Sequence, residues 1–364
     1  MKKFLICILS LVLLMASALG GCSCTSSPPL AFTECFHELG DVVLPTGWRE
    51  VCEYEVKYVD NYENEFAKSP MLPNSKIKIE MQGTYVTNFQ VVDHLPDKSD
   101  FLENKIRSDI PRTMADTDKF YKLVTTFSIP EPKYFVKGSQ TPVENVSEDK
   151  VESVVYFLSG KNSFKPIYAE TKSSYSAVFA TESTVTIGRF DNETYTVYNN
   201  ETYTTTAKSN KVTLVNGVAR KYDVGSAIDN TQLLFCARNV NPSVGSAEYM
   251  PVITYQYEKP QRISVLCQST SSATIADGAL TFNGVNFDDQ DQTAGNRLKL
   301  KRYEIGKSEA TETGIHQLAF IQNGKCGNLG KRNLLYRYVQ PITEFNSFLL
   351  LGAMQYTLKT VTAN

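Results

Sequence analysis

Residues 51–59 read VCEYEVKYV, and this stretch indicates the fold class. Its side chains alternate strictly between two faces, with Cys52, Tyr54, Val56 and Tyr58 on one face and Glu53, Glu55 and Lys57 on the other. Apolar and polar residues that alternate with a period of two are typical of a half-buried strand in an antiparallel sheet. The stretch therefore predicts a half-buried antiparallel β-strand with its even-numbered residues in a core.

The same pattern recurs along most of the chain. Alternating or β-branched stretches predict further strands at 77–82, 84–89, 120–129, 133–136, 152–158, 184–187, 252–257, 262–266, 298–305, 317–322, 334–339 and 354–361. Only two stretches have a helical period, at 99–110 and at 229–239, where Asp229 can cap a stripe of apolar residues. We expect a mainly β (α+β) protein of antiparallel sheets, either a sandwich or an open curved sheet, with a few short helices.

A polar stretch divides the chain. Residues 137–150 read KGSQTPVENVSEDK and contain no apolar run, and Gly138 and Pro142 favour a loop there. We take this stretch as a domain boundary, which gives an N-terminal β-rich domain at 32–137 and a C-terminal β-rich domain at 151–364.

The first 21 residues have the pattern of a signal peptide. Lys2 and Lys3 precede an apolar run from Phe4 to Leu19, and small residues close it. The run is shorter than the roughly 20 residues that a membrane-spanning helix needs. An ordinary cleaved signal or an uncleaved anchor are the alternatives.

The end of this run, Leu19-Gly20-Gly21-Cys22, resembles the lipobox of bacterial lipoproteins. The resemblance implies a diacylglycerol, with fatty acyl chains such as palmitate, on the Cys22 thiol and cleavage between Gly21 and Cys22. It also implies that residues 22–31 are a lipidated linker, and that the protein is held by lipid at the extracytoplasmic face of the cell membrane.

The charge balance argues against nucleic acid as a partner. Removing Lys2 and Lys3 with the signal leaves 35 of the 37 basic residues against 39 acidic ones, a net charge of −4. A mildly acidic chain has no electrostatic attraction to a phosphate backbone.

Six cysteines remain after Cys7 and Cys22 are set aside, namely Cys24, Cys35, Cys52, Cys236, Cys267 and Cys326. An even number in an exported protein is compatible with disulfides, and Cys35 with Cys52 is the first pair to test because both flank one short segment. Free buried thiols are the alternative. No cysteine or histidine pair has zinc-ligand spacing, so no metal site is expected.

No motif for catalysis or for a cofactor is recognisable, so the sequence favours a non-enzymatic role and no cofactor. The three histidines, His37, His94 and His316, form no HExxH pair, and nucleotide-binding glycine loops are missing. The acidic stretch at 288–292 lacks the glycine and glutamate of a calcium-binding EF-hand loop, which favours a solvated loop over a calcium site. The paired carboxylates of a glycosidase are defined by their distance in the folded protein, so a pair among the 39 acidic residues has no recognisable spacing in the sequence.

Residues 221–238, which include KYD at 221–223 and QLLFCAR at 232–238, resemble a family of periplasmic β-rich domains of unknown function. The resemblance implies an envelope location and brings no activity. Three hypotheses follow: a non-enzymatic lipoprotein that binds a ligand or partner, such as a glycan or an envelope protein; a surface hydrolase acting on polysaccharide; and the solute-binding lipoprotein of a transporter. The last class alternates strands and helices in parallel sheets, which this pattern does not predict.

Overall fold

The alternating stretch at 51–59 forms the strand β1 (Arg49–Val59), as predicted. Cys52, Tyr54 and Val56 are buried, whereas Glu53 and Lys57 are exposed. The computed structural model describes residues 45–59, 77–93, 119–136, 140–142, 148–159, 166–174, 184–191, 194–200, 202–205, 212–215, 218–223, 227–238, 240, 242–253, 260–274, 276, 279–283, 297–307, 317–325, 331–343 and 350–364.

Strands make up most of these described ranges, so the predicted mainly β fold class is confirmed. After β1 the strands are β2 (Ile77–Glu80), β3 (Gln82–Val92), β4 (Lys119–Ile129), β5 (Lys133–Val136), β6 (Asp149–Ser159), β7 (Pro166–Ser174), β8 (Thr184–Asp191), β9 (Thr194–Asn200), β10 (Thr202–Thr205), β11 (Val212–Val215), β12 (Val218–Asp223), β13 (Ile228–Asp229), β14 (Ala247–Ile253), β15 (Gln261–Thr274), β16 (Thr281–Asn283), β17 (Arg297–Lys307), β18 (Gln317–Lys325), β19 (Lys331–Thr343) and β20 (Leu350–Ala363).

One open, curled sheet contains 16 of the strands, in the order β12-β9-β8-β7-β6-β4-β3-β1-β20-β19-β18-β17-β15-β14-β13 with β16 beside β20. Neighbouring strands are antiparallel except β13 with β14 and β16 with β20. Two small ribbons, β10 with β11 and β2 with β5, lie outside this sheet. Of the two predicted arrangements, the open curved sheet is the one observed.

Both predicted domains contribute strands to this sheet. β4 lies before the polar stretch at 137–150 and β6 reaches into and beyond it, and the two strands pair along all 11 residues of each. β1 likewise pairs with β20, the last strand of the chain. The division into 32–137 and 151–364 stays a prediction.

A short helical segment follows β13, where the sequence predicts a helix over 229–239. It begins with a 3₁₀ turn (Asn230–Gln232) and continues as the α-helix α1 (Leu233–Ala237). Asp229 caps it as predicted, because its carboxylate accepts a hydrogen bond from the Thr231 N–H at 2.9 Å, while its own N–H donates to Gln232 Oε1 at 2.9 Å. This reciprocal pair is a capping box. The helix predicted at 99–110 lies outside the described residues.

We call residues 230–238 the plug, because the sheet curls around them. Phe235 contacts Phe157 of β6 with ring centroids 5.8 Å apart, and Arg238 Nε donates to the Asn333 carbonyl of β19 at 2.8 Å. In a flat sheet, β6 and β19 would be separated by five strand spacings, or about 24 Å. One short helix touches both strands only because the sheet is strongly curved. None of the helices that the structure describes has the length and hydropathy needed to cross a bilayer.

Aromatic side chains fill the space between the plug and the sheet. Phe89 of β3 stacks on Phe235 at 4.6 Å, and Tyr121 of β4 meets Phe89 edge-on at 5.0 Å. Trp48, the sole tryptophan of the chain, packs edge-on against Phe89 at 5.7 Å. The core of the protein therefore lies on the inner face of the curled sheet, directly beneath the plug.

Candidate functional site

A carboxylate lies on the inner face of β1. Glu50 has the same parity as Cys52 and Tyr54, so the alternation that buries those two residues also turns Glu50 inward. Its side chain is only 1% exposed. An ionised carboxylate at that depth requires a cation and hydrogen bonds.

Arg238, the last residue of the plug, supplies that cation. Its Nη2 lies 2.5 Å from Glu50 Oε1, and its side chain is 4% exposed. The Arg238 Nε donates to the Asn333 carbonyl, and the guanidinium lies 5.4 Å from the centroid of the Phe235 ring. The plug is thus joined to β1 and to β19 through one side chain.

The charges of this centre stabilise one another. Burial alone would lower the pKa of Arg238, but the neighbouring Glu50 carboxylate raises that pKa above its ordinary value. Cys52 Sγ lies 3.8 Å from Glu50 Oε1. The guanidinium therefore stays charged at every pH at which the protein is folded.

Hydroxyl-bearing side chains, those of Tyr54, Tyr85 and Thr125, line the same cavity as Arg238. Burial raises the pKa of Tyr54 well above its ordinary value. Burial also raises the pKa of Tyr85, against the opposing effect of its hydrogen bond with Thr125. The Thr125 and Ser153 hydroxyls are 2.5 Å apart, which links β4 to β6.

A cavity of about 20 Å³ lies between the plug and the sheet. The plug contributes Thr231, Leu234, Phe235 and Arg238 to its lining, and the sheet contributes Tyr54, Tyr85, Thr87, Leu123, Thr125 and Leu335. This volume is enough for about one water molecule. This cavity is therefore too small for a ligand larger than water while the plug is in place.

The structure brings together few of the residues singled out from the sequence. Cys52 is buried beside Glu50, but Cys35 lies outside the described residues, so the disulfide between them stays a prediction. Gly21, Cys22, the three histidines and the acidic stretch at 288–292 also lie outside them. Across the described ranges, no cluster of three or more His, Cys, Asp or Glu side chains could hold a metal ion.

Glu50 and Arg238 were not identified from the sequence, although a signal for each is present. Glu50 is a charged residue among the apolar inward-facing positions of β1, and Arg238 directly follows the apolar stripe of the plug. A charge at the edge of each apolar pattern is compatible with solvent exposure as well as with pairing. Only the curvature of the sheet brings the two charges together.

The chemistry open to this centre is limited. Its acid is paired with a guanidinium, and the pKa values of its phenols are moved away from neutrality, whereas a general acid or base works best with a pKa near the working pH. The arrangement therefore suits holding charges and aromatic rings in fixed positions better than transferring protons.

No protein-family model and no curated protein matches the sequence of this chain. Among solved structures, the chain is similar to a β-barrel-like protein of a domain of unknown function, DUF1849, from Brucella abortus. The two share 6% sequence identity with a TM-score of 0.39, over 88% of this chain and 99% of the other. The likeness concerns a β-rich fold and brings no activity to this chain.

Proposed function

We propose that this protein is a bacterial lipoprotein, anchored at the extracytoplasmic face of the cell membrane, whose β-rich body binds a ligand or partner and performs no catalysis. The anchor rests on the sequence Leu19-Gly20-Gly21-Cys22. Two or three acyl chains on Cys22 suffice for stable attachment, whereas one chain binds only marginally. The linker 22–31 then keeps the body close to the membrane.

The observation that carries the non-enzymatic role is the Glu50–Arg238 pair. These two buried charged groups neutralise each other at 2.5 Å, and the cavity that Arg238 lines has a volume of only about 20 Å³. An enzyme of small molecules or glycans needs a cleft that its substrate can enter. The binding partners that we favour are a glycan or another envelope protein.

Lipid labelling tests the anchor. Cells producing the chain are fed a radioactive fatty acid, and the protein is recovered and examined for label. We expect labelling of the unaltered chain and complete loss in Cys22→Ala. The matched control, Cys24→Ala, removes a cysteine two positions away and keeps the label. Label retained in Cys22→Ala would overturn the lipoprotein proposal.

A panel of envelope and dietary glycans tests the role of the body. We expect binding without bond cleavage, measured by calorimetry together with chromatography of the glycan afterwards. Cleavage that disappears on substitution of a single carboxylate would replace this proposal with the polysaccharide hydrolase. Binding of small solutes alone would favour the transporter component.

A further inference from the structure

We propose that the plug is a displaceable occupant of the curled sheet, and that the site beneath it accepts a helical segment of another protein carrying an aromatic side chain and, three residues later, an arginine. This inference rests on the proposed binding role and specifies the chemistry of the partner. The plug itself shows what the site recognises, because Phe235 and Arg238 have this spacing.

The aromatic part of the site is well defined. Phe235 stacks on Phe89 at 4.6 Å and contacts the edge of Phe157 at 5.8 Å. Tyr121 lies behind both, 5.0 Å from Phe89 and 5.5 Å from Phe157. Phe89, Tyr121 and Phe157 belong to β3, β4 and β6, so the hydrogen-bonded sheet holds them in place when the plug moves. They provide a preformed pocket for one aromatic ring.

The charged part of the site selects for arginine. When the plug leaves, Glu50 keeps its position on β1 but loses the Arg238 guanidinium at 2.5 Å. Loss of this cation from a buried carboxylate is unfavourable, so an entering segment that brings a new positive charge to Glu50 is favoured. The Asn333 carbonyl accepts from Arg238 Nε at 2.8 Å while Glu50 accepts from Nη2, and the planar fork of a guanidinium can reach both acceptors at once.

Three features allow the plug to be displaced. The α-helix has five residues, and most of the stability of such a short helix comes from tertiary contacts. A cavity separates parts of the plug from the sheet, so the two surfaces are not fully complementary. Finally, an ion pair gains little net stability on burial, because desolvation offsets most of the attraction. Both arginines are desolvated to the same extent when they occupy the site, so replacing Arg238 with the arginine of a partner changes the free energy little.

A peptide copying residues 229–240, with Cys236→Ala, provides a probe for this site. The full chain carrying Phe235→Leu is the receptor, because that change removes the ring stacking of the internal competitor and keeps most of its volume. We expect the peptide to bind this variant at least tenfold more tightly than it binds the unaltered chain. Trp48 fluorescence reports both binding and the integrity of the fold, since Trp48 is buried against Phe89.

The specific contact is tested by a double-mutant cycle. Arg238→Gln in the peptide is expected to weaken binding at least tenfold. Glu50→Gln combined with Arg238→Met in the receptor, which leaves no unpaired buried charge in the free protein, is expected to abolish that difference. Equal binding of both peptides to the Phe235→Leu receptor would overturn the inference, as would no binding of either. The lipid label on Cys22 is unaffected by these outcomes, so the proposed anchor stands or falls separately.

Hydrogen exchange of the unaltered chain gives a second test that needs no variant. We expect the amides of 233–238 to exchange faster than those of β1 by a factor of at least ten, because the plug opens while the sheet stays paired. Exchange of both segments at one common rate would show that the plug leaves only when the whole protein unfolds, and would overturn the inference.

Discussion

Glu50 and Arg238 are 188 residues apart in the sequence, and their side chains meet 2.5 Å apart inside the protein. Glu50 is fixed by β1, which pairs with both β3 and β20. Arg238 is the last residue of the plug and also binds β19 through the Asn333 carbonyl. The contact therefore holds the plug in one position relative to the sheet. A non-directional apolar surface would define that position less sharply.

Breaking one half of this pair is expected to destabilise the protein strongly. Glu50→Gln leaves a buried guanidinium without its carboxylate, which costs about 3–5 kcal/mol. Replacing both partners, as in Glu50→Gln with Arg238→Met, removes the unpaired charge and recovers a large part of that loss. Urea unfolding followed by Trp48 fluorescence measures the free energies.

A surface pair provides the matched control for that measurement. Glu55 lies 2.7 Å from Lys57 and 3.0 Å from Lys359, but these side chains are 23%, 51% and 42% exposed. Glu55→Gln is expected to cost less than about 1 kcal/mol, because solvent screens such pairs. If Glu50→Gln were as mild as Glu55→Gln, the buried pair would not hold the plug.

The capping box sets the stability of the plug independently of the ion pair. Asp229→Ala removes the acceptor for the Thr231 N–H and is expected to cost about 1 kcal/mol. The expected change in hydrogen exchange is local, with faster exchange at 233–238 and little change in β1. Asp229→Asn keeps an acceptor oxygen at the cap and serves as the control. A uniform acceleration in all strands would contradict this prediction.

The fold class is predictable from the sequence because alternation is a local property. VCEYEVKYV at 51–59 presents its apolar side chains on one face whatever surrounds it, and Cys52, Tyr54 and Val56 are buried as expected. The helix start at Asp229 is predictable for the same reason, since the capping box involves only neighbouring residues. Such signals need no knowledge of the tertiary structure.

The candidate site depends on relationships that the sequence does not display. Glu50 and Arg238 are brought together only because the strands from β6 to β19 curl around the plug. That curvature comes from strand twist and from register shifts, such as those between Glu53 and Tyr54 and between Ile342 and Thr343. These shifts have no clear sequence signature, so neither the curvature nor the ion pair could be predicted.

The buried tyrosines are expected to make the protein sensitive to high pH. Burial raises the pKa of four phenols, those of Tyr54, Tyr85, Tyr338 and Tyr356, above their ordinary value. Above pH 10 the unfolded chain therefore releases protons that the folded protein retains. The free energy of unfolding then falls as pH rises, by up to about 1.4 kcal/mol per pH unit for each such group. Below about pH 10 the phenols are protonated in both states, so their contribution to stability is fully retained there.

Urea unfolding at several pH values from about 8 to about 11 tests this dependence. Tyr85→Phe removes one of the four phenols and is expected to lessen the slope above pH 10, with little effect on it below. Tyrosinate absorbance of the folded protein checks that the buried phenols remain protonated. A slope unchanged by Tyr85→Phe would show that other groups cause the loss of stability.

Gly83 is expected to tolerate no side chain. A Cβ at this position would lie 2.2 Å from the Ser128 carbonyl oxygen and 2.8 Å from Ile129 Cγ1, so β3 and β4 would have to separate. Overpacking of this kind costs about 1–3 kcal/mol. Gly83→Ala is therefore expected to lower the midpoint of thermal unfolding.

Gly245 provides the comparison for Gly83. Its φ is +84°, which disfavours alanine, but a Cβ there would meet no atom within 4 Å. Gly245→Ala is expected to cost about 1–2 kcal/mol through the backbone alone and to leave the exchange rates of β3 and β4 unchanged. Gly83→Ala should instead accelerate exchange in those two strands. Equal exchange profiles in the two variants would contradict a steric origin.

The disulfide predicted between Cys35 and Cys52 is tested by mass spectrometry of the protein digested without reductant. A linked peptide containing both cysteines is the expected result, and Cys35→Ser should abolish it, whereas Cys267→Ser should leave it intact. Because the bond closes a loop of about 16 residues, its reduction is expected to lower the free energy of unfolding by about 3 kcal/mol. Cys52 is fully buried, so alkylation of the reduced protein should reach it only after unfolding. Recovery of Cys52 as an alkylated peptide from the unreduced, unfolded protein would show instead that it is a buried thiol beside Glu50.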